Sequence, residues 1–216
     1  MLSKYSQVAA ALTASTLLVS ISLPFAVQAQ MTPLADTETQ LPTARGRLMA
    51  SGSGSTVSYQ TLYVNPTVGS DSANGLETAP LRTVTRALEV APPNTVIVLA
   101  PGRYTQGSGE VFPLQLKPGV TIQGTPGERD RAAIIEGGGH FTSPTRSQQN
   151  ATILAADRAG LAQVAISNPD GYGVWIESAS PTILESAFVG NRQTGIYVAG
   201  GSPRVQGSYF SGNQVA

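Results

Sequence analysis

Trp175 and Tyr197 stand 22 residues apart in two copies of one short motif, Gly173-Val174-Trp175-Ile176 and Gly195-Ile196-Tyr197-Val198. On adjacent strands of a parallel sheet such residues lie about 4.8 Å apart. Two exposed rings at that spacing would offer the C–H faces of a pyranose an apolar platform, since the ring face is electron-rich. The competing reading is a cross-strand pair that only shields the sheet. Glu177 falls two residues beyond Trp175, on the same outward face, and Asp170 and Arg192 hold matching positions in the two copies. Trp175, Tyr197, Glu177, Asp170 and Arg192 are therefore the candidate carbohydrate-binding residues.

The elements that must position them follow from the period. Residues 161–176 and 183–198 repeat each other, and a third copy begins at Val205, so that Leu161, Ile183 and Val205 align, as do Ile166, Phe188 and Phe210. A period in the twenties built from short β-type runs marks a solenoid whose coils share one core. Alternation along each strand points Ile183, Phe188, Ile196 and Val198 inward and turns Trp175, Glu177, Tyr197 and Ala199 outward. Asn191 and Asn213 share a register, where amide side chains can bond along a turn. Upstream, β-type runs are expected at 61–64, 95–99, 120–122, 133–135 and 152–154, separated by turn signals such as Pro101-Gly102, Pro118-Gly119, Pro126-Gly127 and Gly137-Gly138-Gly139. Val84, Ala87, Leu88 and Ala91 recur at helical spacing, with Thr83 as N-cap. That one short helix is expected to close the first rung, which would otherwise expose apolar core and unpaired edges.

The chain has 216 residues with 23 glycines, 15 prolines and only 12% charged residues, a balance that favours an extracytoplasmic all-β protein. Thirteen basic and thirteen acidic residues cancel, and no basic run offers a footprint for nucleic acid or an anionic membrane. The absence of cysteine removes disulfides, thiolate metal sites and cysteine nucleophiles together. Lys4, the apolar stretch from Val8 to Val27 and the small-residue end Val27-Gln28-Ala29 read as a signal peptide over 1–29. Thr13, Ser15, Thr16, Ser20, Ser22 and Pro24 inside that stretch speak against an uncleaved membrane anchor. Residues 30–60, rich in Thr, Pro and Ser, read as a flexible linker. The folded unit is expected over 61–216, outside the cytoplasm or at the cell surface.

Leu62-Tyr63-Val64-Asn65, Gly69-Ser70-Asp71, Asn74-Gly75, Ala79-Pro80-Leu81-Arg82-Thr83, Ala87-Leu88 and Pro101-Gly102-Arg103-Tyr104 form an N-terminal pattern over about 62–124. It resembles the opening of secreted bacterial right-handed parallel β-helix proteins of the pectate-lyase-like superfamily, and in particular a family of unknown function named for that domain. The resemblance implies a right-handed parallel β-helix with a short N-terminal capping helix, followed by 22-residue coils over about 158–216. Function follows less directly, because this fold hosts lyases, hydrolases and non-catalytic proteins.

A polysaccharide lyase of that superfamily would need stacked acids for Ca²⁺, which takes six to eight oxygens. Here Asp170 aligns with Arg192, Glu177 with Ala199 and Glu185 with Gly207, so no acidic ladder forms and Asp170–Arg192 reads as an inter-rung ion pair, worth little at a surface. A glycosidase would need two carboxylates about 5 to 9.5 Å apart. Asp157, Asp170, Glu177 and Glu185 share no outward register. His140, behind three glycines, reads as an exposed loop residue rather than a general base, and no Lys-Ser/Thr follows to make a phosphate loop. Asp71 is the one candidate for Ca²⁺, but with a single carboxylate an Asx-type turn reads better. No cofactor is called for.

The expected role is thus a secreted, non-catalytic β-helix module contacting polysaccharide or a cell-surface glycan, with a carbohydrate-active lyase or hydrolase as the alternative and a purely structural spacer as a third. Asn213-Gln214-Val215-Ala216 stops where the next Gly-Ile-x-Val strand would begin. That end suggests a truncated version of a longer relative or self-association through the open coil.

Overall fold

A computed structural model describes residues 59–125 and 133–215. The expected signal peptide over 1–29, nearly all of the expected linker and the Pro126-Gly127 turn signal fall outside the described residues.

Among the described residues, sixteen strands and one α-helix wind into a parallel β-helix, with the right-handed crossovers that parallel strands favour. The first sheet holds β1 (Gln60–Val64), β2 (Thr95–Leu99), β5 (Thr121–Gly124), β9 (Gly160–Ala162), β12 (Thr182–Leu184) and β15 (Arg204–Gln206), in that order. The second runs β3 (Gly102–Tyr104), β6 (Ala133–Glu136), β10 (Val164–Ser167), β13 (Ala187–Val189) and β16 (Tyr209–Ser211). The third runs β4 (Leu114–Gln115), β8 (Gln148–Leu154), β11 (Tyr172–Glu177) and β14 (Ile196–Ala199). Strand β1 begins at Gln60, the last residue of the expected linker.

The period-2 pattern puts one apolar column inside each sheet. Ile97, Ile122, Leu161 and Ile183 stack in register in the first sheet. Tyr104, Ile135, Ile166 and Phe188 do so in the second. Leu114, Ile153, Val174 and Ile196 do so in the third. All but Ile196 are buried, each apolar side chain withdrawing surface worth about 1.5–3 kcal/mol. Phe188 and Phe210 stack with centroids 4.9 Å apart, one rung above the other. Val198, expected inward, is 46% exposed because no further rung covers it among the described residues. Asn191 donates through Nδ2 to Asn213 Oδ1 at 2.8 Å, the amide stack read from their shared register.

One turn position recurs with the coils. Between the first and second sheets Gln163, Glu185 and Gly207 all take positive φ, 55°, 47° and 62°. A side chain in that region costs about 1–2 kcal/mol, which glycine avoids. Glu185→Gly is expected to raise unfolding free energy in urea by about 0.5–1 kcal/mol, because its exposed bond from Gln163 Nε2 contributes little.

Helix α1 (Val84–Val90) buries Val84, Ala87 and Leu88 and packs on β1, β2 and β4. Two turns are too short to stand alone, and side chains hold both ends. Thr83 Oγ1 accepts from Arg86 N at 3.0 Å. Glu110, a buried residue outside the repeat pattern, accepts from Val84 N at 2.7 Å and Thr85 N at 2.9 Å. Lys117 Nζ donates to Glu89 O at 2.7 Å at the other end.

Candidate functional site

The outer face of the third sheet carries a hairpin that the 22-residue period does not contain. Ala133 pairs with Val164, 31 residues on, whereas Ala165 pairs with Ala187, 22 on. The longer coil carries β7 (Gly139–Thr142), which pairs antiparallel with the first half of β8. His140 lies on this exposed strand opposite Asn150, and not in a loop. Residues 143–147 form the hairpin tip, and it folds over the sheet.

Trp175 does point outward, opposite Tyr197 and flanked by the buried Val174 and Ile176. It is nonetheless only 2% exposed, so the expected open platform does not form. Phe141 meets it edge-on at 5.4 Å and Tyr172 at 5.1 Å. Its ring stacks on Tyr197 with centroids 4.1 Å apart and planes 23° off parallel. The two faces therefore meet each other, the cross-strand pairing that was the competing reading. Arg146 from the hairpin tip lies over the Tyr197 ring, its guanidinium carbon 5.1 Å from the centroid, a cation–π contact. Tyr197 and Tyr172 stay half-buried, 5.3 Å apart, and form the aromatic surface of the cluster.

Glu177 ties this arrangement together. Its carboxylate accepts from Trp175 Nε1 at 3.0 Å, from Ser143 Oγ at 2.9 Å, from Thr145 N at 3.0 Å and from Thr145 Oγ1. Desolvation pushes its pKa up, but the bonds from Thr145, Trp175 and Ser143 together outweigh it and hold the carboxyl below the ordinary 4.5. Glu177 is an ionised acceptor, the opposite of the raised carboxyl that a glycosidase acid requires.

Asp170 and Arg192 are both exposed and make no salt bridge with each other, contrary to the expected inter-rung pair. Each is fixed by its backbone instead: Asp170 N donates to Asn168 Oδ1 and Arg192 N to Asn168 O. Their charged ends are left to water, which weakens a surface pair. Asp71 is equally committed elsewhere. Its Oδ1 accepts from Arg82 N at 3.0 Å and Thr83 N at 2.9 Å, and Oδ2 accepts from Thr83 Oγ1 at 3.0 Å. The carboxylate braces the N-cap of α1, and among the described residues no group of three His, Asp or Glu side chains gathers to hold a metal.

Five contributors were missed from sequence: Phe141, Ser143, Thr145, Arg146 and Tyr172. The available signal was the lengthening of their coil from 22 to 31 residues, which the preceding coil shares, Gly102 pairing with Ala133, so that length marks an insertion without saying where it docks.

The three-sheet solenoid and its stacked inward columns define a parallel β-helix protein. The family of proteins of unknown function DUF1565 matches residues 67–216, and the chain belongs to it. No curated protein sequence matches the chain. Among solved structures it is similar to the GH136 lacto-N-biosidase from Eubacterium ramulus, at TM-score 0.52 and 16% identity, over 70% of this chain and 34% of that one. It also aligns with pectate lyase Pel9A at TM-score 0.42 and 20% identity, over 72% of this chain and 48% of that one. A rhamnogalacturonan lyase aligns at TM-score 0.37 and 14% identity, over 72% and 51%. The chain thus spans about a third of the lacto-N-biosidase and half of the two lyases. Among the described residues, no helix is long and apolar enough to cross a membrane.

Proposed function

We propose that this protein is a secreted, non-catalytic β-helix module that contacts polysaccharide through the outer face of the third sheet. The observation that carries the reading is the half-buried pair Tyr172 and Tyr197, backed by buried Trp175 and flanked by the exposed Arg146 guanidinium. Aromatic edges and phenol hydroxyls there suit sugar C–H groups and hydroxyls. Arg146 supplies donors for a hydroxyl or a carboxylate. Support for a non-catalytic role is chemical. Glu177 has its carboxylate filled by four donor groups, and among the described residues no second carboxylate shares its face. Residence outside the cytoplasm rests on the signal-peptide pattern of residues 1–29.

Affinity electrophoresis in gels cast with polygalacturonate, alginate, xylan or galactan tests this. Retardation in at least one gel is expected, with Tyr197→Leu weakening it by about tenfold, or 1.4 kcal/mol. Free migration in every gel sinks the polysaccharide reading. Release of unsaturated or reducing ends from the same panel sinks the non-catalytic one and favours the lyase or hydrolase.

A further inference from the structure

The loop between β1 and α1 contains the only Asn-Gly step of the chain, Asn74-Gly75. An asparagine before glycine is open to attack by the next backbone nitrogen, because glycine has no side chain to shield it. Asn74 is exposed, and its Oδ1 accepts from Leu76 N at 3.2 Å. The ring closed by that bond encloses the Gly75 nitrogen, so the side-chain amide is folded back over the peptide that would attack it. The glycine is not free to change. Gly75 is buried at φ 76°, and a Cβ there would lie 2.7 Å from Leu62 Cδ2 in the core.

Gly75 is also clamped on both sides. Its N–H donates to Ala79 O at 3.1 Å, and its carbonyl accepts from Tyr63 N at 2.8 Å. Ala79 N donates to Leu76 O at 3.0 Å and closes the turn between them. Attack requires the Gly75 nitrogen to give up the proton that Ala79 O holds. Ring closure requires the peptide between Asn74 and Gly75 to rotate, which the bond from Tyr63 resists. The reaction therefore waits on opening of residues 74–79, a local event that does not need the solenoid to unfold.

We propose that Asn74 is a site of spontaneous deamidation held off by the fold, and that its conversion unties the loop from β1. The Gly75 nitrogen passes its proton to solvent base and bonds to Asn74 Cγ, the Cγ–Nδ2 bond breaks, and the amide leaves as ammonia. Water then opens the five-membered imide at either carbonyl. Opening at Cγ gives aspartate, and opening at the main-chain carbonyl gives isoaspartate, with nothing oxidised or reduced. Isoaspartate lengthens the main chain by one carbon just before the clamped Gly75. The two bonds at Gly75 and its close fit to Leu62 are then out of step with the rest of the loop. That loop also carries Asp71, which braces the N-cap of α1.

The full chain and a synthetic peptide of residues 70–80 are held in one mildly alkaline buffer, and isoaspartate at position 74 is counted by peptide mapping. The peptide is expected to convert about tenfold faster or more, by a factor equal to the hydrogen-exchange protection of the Gly75 amide, since both reactions use one opening. Asp71→Ala, shown by its melting curve to be folded, should convert about threefold faster than the parent. The isoaspartate form should melt below Asn74→Asp, which keeps an oxygen for Leu76 N and adds no backbone atom. Conversion as fast in the folded chain as in the peptide overturns the guard. A Gly75 protection that departs from the slowing by about tenfold or more overturns the opening route, with or without a folded Asp71→Ala. Equal rates in Asp71→Ala and the parent overturn the loop brace as the gate. Isoaspartate forming at other asparagines ahead of Asn74 overturns the site, and an isoaspartate form that melts with Asn74→Asp overturns the untying.

Discussion

Replacing Glu110 with alanine is expected to cost about 3–5 kcal/mol of unfolding free energy, a drop in melting temperature on the order of 10 °C. Glu110 is 2% exposed and its two oxygens take the backbone N–H groups of Val84 and Thr85 and the hydroxyl of Thr85. The first N–H groups of a helix have no partner within the helix. Alanine leaves two of them buried without an acceptor, each worth about 1–3 kcal/mol. Glu110→Gln keeps one carbonyl oxygen and should lose about half as much. Urea denaturation followed by far-UV circular dichroism measures both; a loss below about 0.5 kcal/mol for alanine would show that water or a neighbour replaces the carboxylate.

The same residue makes the loss depend on pH with a definite sign. Burial raises the Glu110 carboxyl above the ordinary 4.5, outweighing the bonds from Thr85 and Val84 that lower it, and the negative charge of Asp71 adds to the rise. A carboxyl with a raised folded pKa binds its proton more tightly in the folded state. Its contribution is therefore full below about pH 4.5 and is lost as pH climbs through the folded value. The gap between wild type and Glu110→Ala should be widest near pH 4 and narrow toward pH 7. Glu177 titrates in the opposite sense, its lowered pKa removing stability as pH falls below 4.5, but it is common to both proteins and cancels in the difference.

How far the chain could be read in advance divides along local and non-local lines. The 22-residue period is a local signal, and it aligned Leu161 with Ile183, Phe188 with Phe210 and Trp175 with Tyr197 as the strands pair. Thr83 as N-cap was legible because a cap bonds within its own turn. Register, however, assigns a face and not an exposure. Trp175 is outward and buried, since Phe141, Tyr172 and Tyr197 close around it, and the hairpin that brings Phe141 carries no pattern of its own. Glu110 shows the same limit: it serves a helix 26 residues upstream, and nothing near it in the chain marks a capping role. Asp71 was visible as an oxygen donor in a turn, but its true partners, Arg82 and Thr83, lie 11 and 12 residues on.

Trp175→Ala provides the second large expected effect, again about 3–5 kcal/mol. The indole touches Phe141, Tyr172 and Tyr197 and donates to Glu177, so its loss empties the space between sheet and hairpin. Cavity cost adds to the lost transfer energy because the β11 backbone, fixed on both sides by β8 and β14, cannot collapse into the gap. Trp175→Phe, which keeps an aromatic stack but not the Nε1 donor, should cost about 1–2 kcal/mol. A residue-level readout separates local from global damage. Amide exchange in β7 and the first half of β8 should quicken by more than the global loss accounts for, whereas β9, β10 and β12, whose inward columns are intact, should follow the global loss alone. Uniform acceleration across all of these strands would mean that the ring cluster supports the whole solenoid. A total change below about 0.5 kcal/mol would mean that the four rings are surface decoration, and the hairpin would then be held by Glu177 alone.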